Sequence, residues 1–161
     1  MPPISGVTYG LSGDIATQHS HDRAVEEAIN LVALTGSVYP SEDAFVRKVI
    51  LQITDRITSF AIHARRTSEL KQARGITVVD SRWAVGNISL ETDFWNIINK
   101  IVHAREIHVA TFQHGNEHFT NLGDRIIGYV EVKSDRGDSV KFCPYGLVYA
   151  YLSQIMSLAK V

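Results

Sequence analysis

Asp93-Phe94-Trp95-Asn96-Ile97-Ile98-Asn99-Lys100-Ile101-Val102-His103-Ala104 is the stretch on which the reading of the fold turns. As a helix it places Phe94, Ile97, Ile98, Ile101 and Val102 on one apolar stripe. Asn96, Asn99 and His103 fall along a neighbouring polar stripe, because residues three, four and seven apart share a face. A histidine stacked over two asparagines can be held in one tautomer and one orientation. A proton-transferring or ligand-gripping imidazole needs that, and so does a purely structural one. For the structural role, the ring packs at the end of the helix and bonds Asn99 or a strand carbonyl.

Working outward from this helix, the pattern predicts three more. Val25, Ala28, Ile29, Val32 and Ala33 recur at three-to-four spacing, which predicts a helix from His21 to Thr35 closed by Gly36. Residues 1–20 mix Pro, Gly, Ser and Thr and read as a loosely ordered lead-in. Pro40-Ser41-Glu42-Asp43 supplies a cap and acidic first-turn residues. They open the longest pattern, Ser41 to about Ala73, with Phe45, Val49, Ile53, Ile57, Phe60, Ala61 and Ala64 inward. Ile76 to Gly86 is a short connection with a brief strand at Ile76–Val79, and Ser89 is expected to cap the decisive helix.

Beyond Ala104 the period changes. Glu106–Phe112 is β-branched and alternating, Arg125–Lys133 reads as a second strand, and Ser134-Asp135-Arg136-Gly137-Asp138 turns the chain into Ser139–Phe142. Pro144 opens a final helix with Leu147, Val148, Tyr151, Leu152, Ile155 and Leu158 inward. The expected fold is therefore mainly α, a four-helix bundle-like core carrying a small antiparallel β-hairpin insertion before the last helix. Residues 21–161 are expected to form a single helical domain.

Composition sets the bounds. The chain has 161 residues, 45% apolar and 20% charged, with formal charge −1 and a pI near 6.6. That is the profile of a globular domain with a real core and no global positive field, so any nucleic-acid binding needs a local patch. A single cysteine, Cys143, leaves no internal disulfide and suits a reducing cytoplasm, where it reads as a small core side chain. No apolar run reaches the ~20 residues of a membrane span, and no secretory leader is expected. No glycine-rich phosphate loop and no Gly-x-Ser-x-Gly elbow is present, which argues against nucleotide hydrolysis and serine-esterase chemistry.

Asn99-Lys100-Ile101-Val102-His103-Ala104 resembles the Asn-Lys-Ile-Ile-His-Ala helix of small HEPN-like proteins. A strand-rich insertion and a terminal helix entered through Phe142-Cys143-Pro144-Tyr145 extend the likeness over roughly residues 41–158. The resemblance implies a helical bundle that dimerises, RNA as a partner, and in active members a metal-independent ribonuclease. Those members pair an Arg with a His across four to six intervening residues. The histidine moves a proton at the ribose 2′-hydroxyl, and the arginine stabilises charge on the phosphate. No metal or other cofactor is expected.

This chain departs from the pattern where the arginine belongs, because Trp95 or Asn96 stands there and an amide cannot replace a guanidinium. Arg105 turns to another face. The literal spacing occurs instead in Arg56 and His63, which share a face of the second helix and could form a composite site with His103 and Asn99. Asn96, Arg65, Arg66 and Arg105 are the candidate binding residues. The basic end Arg65-Arg66, with Lys71 and Arg74, suits either a helix C-terminus or phosphate contacts. The favoured expectation is a degenerate, non-catalytic module that dimerises or binds a partner or RNA. The alternatives are an active ribonuclease and a metal-binding regulatory domain using His108, His114, Glu117 and His118.

Overall fold

The computed structural model describes residues 6, 8, 13–70, 75–78, 88–113 and 124–155. In chain order it runs α1 (Gly13–Gly36), β1 (Val38–Pro40), α2 (Asp43–Leu70), α3 (Phe94–Val102), β2 (Ala104–Gln113), β3 (Asp124–Ser134), β4 (Ser139–Phe142) and α4 (Pro144–Ala150). A π-helical turn, Tyr151–Ile155, continues α4.

The expected four-helix bundle is not what forms; the fold is mixed α/β. Four strands build one antiparallel sheet in which β3 pairs with all three others. β2 runs along one edge of β3. β1 at Val38–Pro40 and β4 at Ser139–Phe142 share the other. The strands were expected as an excursion from the core, but they line it. Ile127, Val130, Val132 and Phe142 are buried in the same cluster as Ile53, Ile57, Phe60, Ile97 and Ile98 of the helices. β3 is buried along most of its length, which an excursion would not be. The strand that completes the sheet, β1, lies between the first two helices, where the sequence pattern predicts no strand and Pro40 is expected to belong to a cap.

α2 buries Val49, Ile53, Ile57, Phe60, Ala61 and Ala64 as its spacing predicts, while Phe45 in its first turn is exposed. Ser41 precedes the helix by two residues. Its hydroxyl accepts from Arg125 Nε at 3.0 Å, tying the start of the helix to β3. α1 departs further from expectation. It begins at Gly13, and its inward face is Ala16, Ser20, Ala24, Glu27, Ala28 and Leu31, whereas Ile29 is exposed. Small side chains let α1 lie close to α2, so backbone proximity rather than the largest apolar residues chose the face.

α3 is short and begins at Phe94, after an Asp93 whose side chain makes no capping bond. Ser89, expected as its cap, lies outside it. The brief strand expected near Thr77 is a single bridge to Asp93. Pro144 does open the last helix. Cys143 is its N-cap, its buried Sγ accepting from the Gly146 N–H at 3.2 Å. Among the described residues no helix is long and apolar enough to cross a membrane.

Candidate functional site

Three elements converge on a cleft of about 400 Å³. The first is the polar side of α3, which contributes Asn96, Asn99 and Lys100, with His103 one residue beyond the helix. Four-residue spacing puts Lys100 directly over Asn96. The second is the β3–β4 turn, which brings Ser134, Asp135 and Arg136. The third is the last part of α2, which brings Arg65.

The turn is fastened to the end of α3 at two points. The Asp135 backbone N–H donates to the His103 carbonyl at 3.2 Å. Lys100 Nζ donates to Asp138 Oδ2 at 3.0 Å. Within the turn, Gly137 adopts φ 84°, a left-handed conformation that a β-carbon would strain, so the tight reversal depends on glycine there. The buried Ser134 hydroxyl accepts from the Arg136 N–H at 3.3 Å. These bonds hold the backbone from which Arg136 projects, and its guanidinium has no ion pair or hydrogen bond among the described residues.

His103 differs from expectation. The helix ends at Val102, so His103 lies at the C-cap with φ −101° and ψ 22°. Its backbone N–H reaches the carbonyls of Asn99 and Ile101, and its own carbonyl takes the Asp135 N–H. The side chain is exposed and its ring makes no hydrogen bond among the described residues. Amide side chains therefore do not lock the imidazole; backbone bonds fix the residue and leave the ring facing the cleft and solvent. Asn96 donates through Nδ2 to Glu91 Oε1 at 3.0 Å. The Asn99 carboxamide is half-buried and makes no hydrogen bond among the described residues.

Of the residues singled out from sequence, the cleft thus gathers Arg65, Asn96, Asn99 and His103. Arg56 is elsewhere, its Nη1 3.3 Å from Oε1 of Glu27, whose side chain is 4% exposed. His63 lies between α1 and α2. Burial, then the charges of Arg23 and His19, hold its imidazole below the ordinary range, against an opposing pull from Glu27. Arg66 is exposed and its charge adds to that effect on His63. Arg105 is exposed on β2. His108 contacts Glu106 at 3.1 Å, and that bond, then the Lys133 charge, lowers the Glu106 carboxyl. His114, Glu117, His118, Lys71 and Arg74 lie outside the described residues.

Lys100, Ser134, Asp135 and Arg136 complete the cleft and are not among the site residues singled out from sequence. Lys100 was within reach of the spacing argument, since it shares Asn96's face. Arg136 was legible only as the tip of a turn, because nothing local says where that tip docks. Sequence reasoning also missed the bond between His21 Nδ1 and the Tyr151 hydroxyl, 2.7 Å, in the buried α1–α4 contact. Burial pushes that phenol up to about 12, against a hydrogen bond from Thr67.

The cleft presents hydrogen-bond donors that can receive an anion, with Lys100 already 3.0 Å from Asp138. Arg65, Lys100 and Arg136 stand around it with the imidazole of His103, facing the single carboxylate of Asp135 within its lining. Arg65 also pairs with Glu69 at 3.2 Å. No family model, curated protein or solved structure matches the chain.

Proposed function

We propose that this chain is a non-catalytic RNA-binding module whose cleft grips the phosphate backbone of a single strand. The observation that carries the reading is the gathering of Arg65, Lys100 and Arg136 with His103, from three separate elements, around one open cleft. Guanidinium groups form fork-like paired bonds to phosphate oxygens, and a cluster of cations releases counterions on binding. With a formal net charge of −1 the chain has no general attraction for nucleic acid, so a local cluster must supply it. The ring of His103 has no orienting partner among the described residues, whereas a proton-transferring histidine works best when one fixes it. That favours binding over catalysis.

Filter binding of a labelled single-stranded RNA across a salt series tests this. The affinity should fall linearly on a log–log plot. Arg136→Ala should weaken binding and flatten the slope by about 0.7, the share of one lost phosphate contact on a single strand. Equal binding by the wild-type and Arg136→Ala chains would exclude the cleft as the interface.

One observation favours a second reading, a metal-independent ribonuclease. Arg65 and Arg136 line the same cleft as His103 and supply the guanidinium that α3 itself lacks. In that reading His103 accepts the 2′-hydroxyl proton as the 2′-oxygen attacks phosphorus, an arginine stabilises the charge on the phosphorane, and the P–O5′ bond breaks, the 5′-oxygen taking a proton from water and leaving a 2′,3′-cyclic phosphate. Cleavage that persists in chelator and vanishes in His103→Ala would establish it over the first.

A further inference from the structure

Resting on the RNA-binding reading, we infer that Asn99 reads the base of the bound nucleotide and prefers adenine. The first ground is which groups are already engaged. On the cleft side of α3, Asn96 donates to Glu91 and Lys100 to Asp138, each at 3.0 Å. The Asn99 carboxamide alone of these has no hydrogen bond among the described residues, although it is half-buried. A polar group in that position gains most from a ligand that satisfies both its ends. A carboxamide sets a donor beside an acceptor, and that pair matches the N7 acceptor and N6 donor on the edge of adenine.

The second ground is charge. Arg65 and Lys100 already hold Glu69 and Asp138, and Asp135 stands in the lining next to Arg136. With three carboxylates set against three cations the cleft carries little net charge, which suits the monoanion of an internal phosphodiester better than the dianion of a terminal phosphate. An internal nucleotide leaves its base to be placed, and α3 presents Asn99 to receive it. The third ground is form. A cleft of about 400 Å³ has the size of a small-ligand site, and bases are read one at a time where they are unpaired and splayed out. Asn99 is then a specificity-determining residue, with the cations holding the strand.

Fluorescence anisotropy on the full chain tests this with three labelled octamers: oligouridine, and the same strand with one central adenine or one central cytosine. The wild-type chain should bind the adenine strand about five-fold or more tighter than oligouridine, the low end of what a paired base contact discriminates. Asn99→Ala should erase that preference, so that the adenine, cytosine and uridine strands bind it with one common affinity. Asn99→Asp is isosteric and only accepts, so it should shift the preference to cytosine, whose N4 donates; thermal melts confirm that each variant is folded. Wild-type binding of all three strands with equal affinity overturns the base reading and leaves the RNA-binding reading standing, as does a folded variant that keeps the adenine preference. Failure of the wild-type chain to bind any octamer overturns both.

Discussion

The ring of Phe112 lies over Gly128 so closely that a β-carbon on the glycine would stand 1.9 Å from Phe112 Cε2. Gly128 is also where the ladder between β2 and β3 slips, since Ala110 pairs with Tyr129 and Thr111 with Ile127. The bulge and the aromatic ring therefore need the same absent side chain. Gly128→Ala should cost about 1–3 kcal/mol in urea unfolding, the usual penalty for overpacking. Pairing it with Phe112→Ala should recover part of that loss, a coupling that a double-mutant cycle will read.

Tyr151→Phe removes the hydroxyl that bonds His21 Nδ1 and leaves a buried imidazole without that partner. The expected loss is about 1–3 kcal/mol, larger than a surface hydrogen bond would give. The edge-to-face packing of the ring on Phe60, 5.5 Å between centroids, is kept, so the variant isolates the polar contact. Chemical denaturation of the two chains checks it.

His63 predicts a pH dependence with a definite sign. Its imidazole is held low chiefly by burial and then by Arg23 and His19. In mildly acidic solution the folded chain therefore binds fewer protons at this site than the unfolded chain does. Its contribution is intact above the unfolded imidazole value and is lost as pH falls through that value toward the folded one. Melting temperature should drop between about pH 7.5 and about pH 5, and His63→Gln should drop less over the same interval.

Arg56 and Arg136 should separate stability from binding. Arg56→Ala strands the buried Glu27 carboxylate and should cost about 1–3 kcal/mol of stability with RNA affinity unchanged. Arg136→Ala should leave the melting temperature within experimental scatter, because its guanidinium is exposed and unbonded among the described residues, and should weaken RNA binding. The reverse pattern would move the interface to the α1–α2 face.

How much of this was legible in the sequence depends on how local each signal is. The buried stripe of α2, the strand at Arg125–Lys133, the hairpin turn and the Pro144 helix start all follow from patterns a few residues long. β1 does not, since Val38-Tyr39-Pro40 becomes a strand only by pairing with Asp124–Ile126 far along the chain. α1 misled because its apolar bulk, Ile29, faces solvent while alanines and a charged Glu27 face inward. At the site, helical spacing correctly placed Asn96 and Asn99 on one side. The helix stops at Val102, so His103 is its C-cap, one turn above Asn99 through a backbone bond, while its ring makes no hydrogen bond to the amides among the described residues.

Because β3 is the only partner for the other three strands in the described sheet, it also sets the order of events as the chain folds. β2 and β4 flank it in sequence and can dock early. β1 must close a loop spanning α2 and α3, an entropic debt repaid only by its three-residue register with β3. Weakening that seam should hasten unfolding and leave the refolding rate almost untouched, the kinetic signature of a strand that arrives last.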